Sequence, residues 1–270
     1  MQQISSKDNQ KVKDIIMLLK GKKHREEQGF FVVEGSRWIN DILDYGGMIS
    51  SVFVAKKTAD NFAAVLEKIK KEIGENNLYC VDDKVFEKLS DTVTSQGILA
   101  VVSMKENAVK SALLQVKKIL YLDTISDPGN MGSIIRTALA AGFKSIILRN
   151  CVDVYSPKVV RSTMGALLKV SLYTETKNND AISFLYKSKF NILAATLKGK
   201  NVFTLKGGYD KIVLVIGSEA AGICDKILEF CDTQVTIPMQ GTESLNAAVS
   251  AGILMYQLSY SGGGNDGGSQ

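Results

Sequence analysis

Apolar positions along this chain follow two different patterns. In the first hundred residues, short apolar runs alternate with stretches of helical spacing. Val12, Ile15, Ile16, Leu18 and Leu19 recur at intervals of three and four within residues 9–20, which predicts an amphipathic helix. Phe30–Val33 is a short β run, and residues 34–43 return to helical spacing before Gly46-Gly47 stops them. Ser51–Ala55 predicts a strand. Residues 61–73 predict a helix, with Phe62, Val65, Leu66 and Ile69 on one face and Gly74 as its end. Leu78–Val81 and Ile98–Val102 predict two more strands, with a helical turn at 84–89 between them. Strands alternating with helices indicate a small α/β domain.

Beyond residue 117 the strands are unbroken apolar runs: Ile119–Leu122, Ser145–Leu148, Ile192–Ala195, Ile212–Ile216 and Gln234–Ile237. Such runs fit a parallel sheet covered on both faces. Helices are predicted between and after them, at 131–141, 157–168, 180–187, 222–229 and 245–258. The expected organisation is a first domain over 1–103, a linker over 104–117 and a second α/β domain over 118–260. The glycine-rich end, 261–270, is expected to be a disordered tail.

Composition removes several chemistries. No apolar run approaches the ~20 residues needed to span a bilayer, and the N-terminus lacks the apolar core of a signal peptide, so a cytoplasmic protein is expected. Cys80, Cys151, Cys224 and Cys231 form no C-x-x-C pair and are expected as reduced thiols rather than metal ligands. The single histidine, His24, lies in a basic stretch, which excludes a Ser-His-Asp arrangement in the second domain. The net charge is +5, and up to Arg25 the chain carries seven basic residues and two acidic ones, so residues 26–270 are formally neutral. Lys20, Lys22, Lys23 and Arg25 therefore make either a solvated helix face or a phosphate-binding arm.

Three segments of the second domain combine small residues with a few polar ones at predicted strand ends. In Asp127-Pro-Gly-Asn-Met-Gly-Ser-Ile-Ile-Arg136, Asn130 suits a helix N-cap, and Gly132 and Arg136 share a helix face. Ile216-Gly-Ser-Glu-Ala-Ala-Gly222 is a glycine-rich strand exit where a ligand can approach the backbone closely. It is not the dinucleotide fingerprint G-x-G-x-x-G. Ile237-Pro-Met-Gln-Gly-Thr-Glu-Ser-Leu-Asn246 leads into a helix rich in small residues. Alone, each piece also fits a plainer role: an ordinary cap, a surface arginine, or a carboxylate favoured by a helix dipole.

Together, in this order and spacing, the segments resemble the three motifs of the SpoU (TrmH-type) RNA ribose 2′-O-methyltransferases. The resemblance covers about residues 117–258. Arg161-Ser-Thr-Met-Gly165 resembles that family's segment between the first two motifs, and Thr196-Leu-Lys-Gly199 its loop at the cofactor's edge. Phe31-Val-Val-Glu-Gly35 and Ser95-Gln-Gly-Ile98 more loosely resemble the ribosomal-protein-like substrate-binding domain that many members carry. The resemblance implies a parallel-sheet α/β domain tied in a deep trefoil knot that forms the S-adenosylmethionine pocket. It also implies a homodimer with each site near the interface; no metal is expected, because the cysteines and the single histidine are not arranged as ligands. Ribosomal RNA of the 23S type is the implied substrate. Transfer RNA, or a non-catalytic RNA-binding role for the same fold, is the alternative.

By the same resemblance, the catalytic set is Arg136, Asn130, Glu219, Ser244 and Asn246. Asn130 orients the ribose hydroxyl, Glu219 holds Arg136 or the substrate, and Ser244 and Asn246 shape the loop. Thr196, Leu197, Gly199, Gly217, Gly222, Ile237, Met239 and Leu245 are the implied cofactor contacts, and Arg161 joins the basic arm as an RNA contact. A 2′-hydroxyl must lose its proton as it attacks the sulfonium methyl. An arginine with a pKa above ~12 is a poor base. Arg136 either sits deprotonated in a buried site or grips the adjacent phosphate bidentately, leaving phosphate or water to take the proton.

Overall fold

The chain divides into two units, Met1–Glu106 with Asp153–Leu168, and Asn107–Val152 with Lys169–Gln270. The computed structural model describes residues 1–90, 92, 94–105, 110–175, 180–205 and 209–260. The expected tail at 261–270 and residues 106–109 of the expected linker lie outside the described residues.

The first unit runs β1 (Gln2–Ile4), α1 (Gln10–Lys20), α2 (Lys22–Gln28), β2 (Phe30–Glu34), α3 (Ser36–Asp44), β3 (Ile49–Ala55), α4 (Ala63–Ile73), β4 (Leu78–Val81), α5 (Asp83–Phe86) and β5 (Ile98–Ser103). Its five strands form one mixed sheet in the order β1-β4-β3-β5-β2, in which only β5 runs antiparallel to its neighbours. The predicted stripe of α1 is buried at Val12, Ile15 and Leu18, against Phe53, Val81 and Phe86. Asn9 caps α1 by accepting from the Lys11 N–H at 2.9 Å. Apolar periodicity misses β1 because the strand has three residues and one buried side chain. It misses α2 because Lys-Lys-His-Arg-Glu-Glu-Gln has no apolar residue at all.

The second unit begins with β6 (Lys118–Asp123), α6 (Pro128–Ala140) and β7 (Ser145–Arg149). The chain then contributes α7 (Pro157–Ser162) to the first unit, where it packs on β2, although this stretch was expected in the second domain. The helix expected over 157–168 stops early. Met164 and Gly165 take positive φ of 50° and 88°, which ends α7 and leaves a 3-10 turn at Ala166–Lys169. The second unit resumes with β8 (Ser171–Glu175), α8 (Asp180–Lys187), β9 (Asn191–Asn201), β10 (Ile212–Gly217), α9 (Asp225–Leu228), β11 (Thr233–Thr236) and α10 (Ala247–Tyr260).

Six strands form a fully parallel sheet in the order β11-β9-β10-β6-β7-β8, as the unbroken apolar runs predict. Ile119, Tyr121, Val213 and Val215 pack on one face against Ala181, Ile182 and Leu185 of α8. β8 escapes apolar pattern reading because it is Ser-Leu-Tyr-Thr-Glu. Its buried Glu175 accepts from the Tyr121 hydroxyl and from the Ala181 N–H.

In a parallel sheet all strand exits share one rim. From β6 the chain builds outward to β7 and β8, then crosses to place β9 and β10 on the other side. The order reverses between β6 and β10, and open α/β sheets form a ligand crevice outside the strand ends at such a switch point. β6 ends at Asp123 and β10 at Gly217, in register with each other. The first two motif segments therefore leave the sheet on either side of the switch point.

Candidate active site

The first segment forms its helix one turn earlier than the sequence indicates. Asp127, not Asn130, is the N-cap of α6, and its carboxylate accepts from the Asn130 N–H at 2.7 Å. Pro128 takes the first helical position, where its missing N–H costs nothing. Asn130 then lies inside the first turn, and its side chain is free for another task.

That task is a three-residue cluster. Asn130 Nδ2 donates to Glu219 Oε1 at 3.1 Å. Asn246 Nδ2 donates to the same oxygen at 2.8 Å and to Asn130 Oδ1 at 2.9 Å. The Ala247 N–H reaches Glu219 Oε1 at 2.8 Å. Asn246 Oδ1 meanwhile caps α10 by accepting from the Ala248 and Val249 N–H groups at 3.0 and 3.3 Å. One residue from each motif segment thus meets in one network, anchored at the N-terminus of α10, where a carboxylate is favoured. Glu219 Oε2 has no partner among the described residues.

The second segment is a tight loop. Ser218 and Gly222 exchange backbone hydrogen bonds of 3.1 and 2.9 Å, and Ser218 Oγ accepts from the Ala221 N–H. A Cβ on Gly217 would lie 2.2 Å from the Gly222 carbonyl oxygen, so the loop closes only over glycine. A buried network ties its far end to the sheet. Asp123, 1% exposed, pairs with Arg149 at 2.6 Å and accepts from the Cys224 N–H at 2.8 Å. The sequence marks Asp123 only as a strand end. Its signal is an acid ending the apolar run of β6 while an arginine ends β7 beside it.

In the third segment the backbone N–H groups of residues 239–246 pair with nothing among the described residues. Ile237, Met239 and Leu245 are half-buried and Ser244 is exposed. Leu197, on the extended end of β9, is 65% exposed. Thr196 donates to the Lys198 carbonyl at 2.8 Å and the Thr236 hydroxyl reaches the Leu197 carbonyl at 3.2 Å, which joins the β9 and β11 exits. Gly199 serves backbone packing here, since a Cβ would lie 2.7 Å from the Gln234 carbonyl carbon. A rim of free backbone donors beside exposed apolar side chains suits a purine nucleoside, which offers hydrogen-bonding edges and an apolar face. These residues fit the adenosine part of S-adenosylmethionine.

Arg136 projects from α6 as an exposed side chain with no partner among the described residues. The structure does not bring it to Glu219, whose bonded oxygen is filled by Asn130, Asn246 and Ala247. It is exposed in the single chain.

The basic arm needs one correction. Arg25 is 3% exposed and ion-paired with Asp153, and its guanidinium also donates to the Leu18 and Leu19 carbonyls. It is a fixed structural cation, unavailable to phosphate. Lys20, Lys22 and Lys23 are exposed, but Lys22 and Lys23 face Glu26 and Glu27 at 3.7 Å one turn along α2. Arg161 is half-buried and lines a small recess with Leu19, Val32, Glu34, Trp38, Pro157 and Val160. Among the described residues no group of His, Cys, Asp and Glu is arranged to hold a metal, and no helix is long and apolar enough to cross a membrane.

Comparison with known proteins places this architecture. The SpoU rRNA Methylase family model matches residues 117–256, and the MRM3-like substrate binding domain model matches residues 9–100. The chain belongs to the SpoU rRNA methylase family, whose activity is S-adenosylmethionine-dependent methylation of RNA ribose 2′-hydroxyls. It is similar to the 23S rRNA (guanosine(2553)-2′-O)-methyltransferase RlmP of Bacillus subtilis, at 30% identity over 96% of this chain and 99% of that one. A second relative is the mitochondrial rRNA methyltransferase 3 of Xenopus laevis, at 31% identity over 62% of this chain and 40% of that one. Among solved structures, the AdoMet-bound rRNA methyltransferase from Sinorhizobium meliloti superposes with a TM-score of 0.82 at 28% identity, over 95% of this chain and 97% of that one.

Proposed function

We propose that this enzyme methylates a ribose 2′-hydroxyl of 23S-type ribosomal RNA, with Asn130, Arg136, Glu219, Ser244 and Asn246 as its catalytic set. The observation that carries the assignment is the hydrogen-bonded meeting of Asn130, Glu219 and Asn246 from three separate segments. A network so tied has little freedom left to lose when substrate arrives. S-adenosylmethionine supplies the methyl group as a sulfonium. Asn130 orients the ribose hydroxyl, and the free Oε2 of Glu219 accepts from the ribose edge. Exposed Arg136 clamps the neighbouring phosphate as a charged fork, so phosphate or water takes the proton. Thr196, Leu197, Gly217, Gly222, Ile237, Met239 and Leu245 enclose the cofactor, and Gly199 lets β9 and β11 close beneath it. Lys20, Lys22, Lys23 and Arg161 contact RNA from the first unit.

Homodimerisation and the trefoil knot belong to the same proposal. Val249, Tyr256 and Tyr260 are 51%, 44% and 72% exposed and, with Ile253, share one face of α10. An apolar stripe of this kind suits a second copy of the chain. The chain returns from the edge strand β11 to α10, which packs on α6 and β10, the path that threading would use. A cytoplasmic location completes the reading.

Transfer of labelled methyl from S-adenosylmethionine to 23S rRNA, followed by mapping of the 2′-O-methyl position, tests the function. Transfer only to tRNA would move the substrate, and binding without transfer would make the protein a non-catalytic RNA binder. Calorimetry in excess chelator should show cofactor binding near micromolar, on the order of −8 kcal/mol. Sedimentation of the wild type and of Tyr256→Asp should show a dimer and a monomer; a wild-type monomer would remove the dimer.

A further inference from the structure

Five consecutive strands of the parallel sheet are each preceded by lysine. Lys117 and Lys118 lead into β6, Lys144 into β7, Lys169 into β8, Lys189 into β9 and Lys211 into β10. The strands are parallel, so all six lysines start from the amino-terminal rim, the end opposite the catalytic loops. The five strands lie side by side, which spreads the lysines over roughly 20 Å at ~4.8 Å per strand.

The charge balance points to the same unit. Residues 107–152 and 169–270 carry fifteen basic and eleven acidic residues, while the first unit carries eighteen and seventeen. The arm up to Arg25 is offset by acids later in its own unit, so the net excess belongs mainly to the unit with the parallel sheet.

Among the described residues, little at this rim neutralises Lys117, Lys118, Lys144, Lys189 or Lys211. Asp210 faces Lys117 at 3.5 Å, but both side chains are about four-fifths exposed (80% and 77%), where such a pair is weak. Asp232 is committed to the Ile192 N–H at 2.7 Å. Lys211 donates to the Leu114 carbonyl and lies over the Phe190 ring, and Lys118 lies over the Phe143 ring. The side chains of Lys144 and Lys189 have no partner among the described residues. A cavity of about 290 Å³ opens between the starts of β6 and β7, lined by Val116, Lys117, Lys118, Gly142, Lys144 and Ser145. Helix dipoles account for part of the pattern, since Lys144 follows α6 and Lys189 follows α8. They do not account for Lys117, Lys118 or Lys211, which follow no α-helix of the described residues.

We propose that the amino-terminal rim of the parallel sheet is a second RNA-backbone surface, with the cavity between Lys118 and Lys144 as a phosphate seat. It would hold a part of the RNA away from the methylated ribose, since Lys118 and Asp123 stand at opposite ends of β6, ~17 Å apart at ~3.3 Å per residue. The proposal rests on RNA being the substrate.

The test compares wild type with the triple variant Lys118→Gln, Lys144→Gln and Lys189→Gln, using a transcribed 23S rRNA domain across a salt series. The slope of log affinity against log salt should flatten by about 2, at ~0.7 for each single-strand phosphate that a lysine no longer neutralises. S-adenosylmethionine affinity should be unchanged, which also reports an intact fold. If the triple variant loses its cofactor, the double variant of exposed Lys144 and Lys189 decides, with an expected flattening of ~1.4. Wild-type protein that neither binds nor methylates this RNA overturns the substrate reading. Wild-type protein that does both, with variant slopes equal to its own, overturns the rim alone.

Discussion

The carboxyl rim of the parallel sheet ties its polar side chains to one another, while the amino rim leaves Lys144 and Lys189 exposed to water. At the first, Glu219 Oε1 takes three donors and Asn246 both caps α10 and bridges Asn130. At the second, the side chains of Lys144 and Lys189 have no hydrogen-bond or ion-pair partner among the described residues. The difference matches what each end is proposed to do. Moving a methyl group requires atoms held to within a fraction of an ångström, so the ordering entropy has to be lost before substrate binds. Attracting a polyanion requires charge of one sign, and solvated side chains supply that without fixed geometry. Arg136, two turns into α6, is the exception among the proposed catalytic residues: like Lys144 and Lys189 it is exposed and has no partner among the described residues, which suits a group that waits for a phosphate.

Arg136→Ala gives the most severe test of that contrast. Turnover should fall by a hundredfold or more, on the order of removing one preorganised charged group, while cofactor affinity and thermal stability stay near wild type. Arg136→Lys should recover little, because a point charge cannot copy the bidentate fork. Methyl transfer rates and calorimetry on the three proteins check this. Near-wild-type turnover in the alanine variant would put Arg136 with the solvating lysines and outside the chemistry.

A fixed cation should behave in the opposite way. Arg25 is buried against Asp153, so Arg25→Ala leaves a carboxylate and two backbone carbonyls short of a donor. Breaking such a pair costs ~3–5 kcal/mol. Lys22→Gln with Lys23→Gln should stay within ~0.5 kcal/mol, since their partners are solvent-exposed. Denaturant midpoints compare the two, and equal midpoints would contradict the burial argument.

Gly217 and Gly222 sharpen the contrast within one loop. Gly217→Ala drives a Cβ into the Gly222 carbonyl at 2.2 Å, backbone against backbone, and should cost ~1–3 kcal/mol. Cofactor affinity should fall with it, because the loop must open. Gly222→Ala meets open space and is opposed only by its φ of +69°, for ~1 kcal/mol. Thermal melts rank them at ~2–4 °C per kcal/mol for a chain of this size. The reverse ranking would mean that conformation, not steric overlap, controls the loop.

These residues also show where the sequence is readable. The parallel sheet is legible because Ile119–Leu122 and Ile212–Ile216 are apolar without interruption, which burial on both faces demands. Asn130 stands out in the sequence, but as a cap. Asp127 is an equally good cap residue three positions earlier, and only the fold shows which of the two has a partner across the rim at Glu219. Arg25 lies in a run of basic residues, and nothing local marks it as the one that turns inward. Its partner Asp153 is 128 residues away. The excursion that carries Asp153 and α7 into the first unit is a tertiary fact with no periodic signature.

The smallest expected effect concerns the cysteines. Burial pushes the Cys151 thiol up to about 11 and the Cys231 thiol up to about 12, from an ordinary value of 9.0. The raised value means the folded state favours the neutral thiol. That contribution to stability is complete below pH 9.0 and is lost as the pH rises towards 11 and 12, because the unfolded chain ionises first. Alkylation at pH 8 should therefore be slow for both residues in the native protein and fast after denaturation, since only the thiolate attacks. Mass spectrometry of iodoacetamide-treated protein reads this directly. Rapid native labelling of Cys151, which lies just beyond β7 and bonds the Leu122 carbonyl at the end of β6, would show that the carboxyl rim opens far more than its hydrogen-bonded cluster implies.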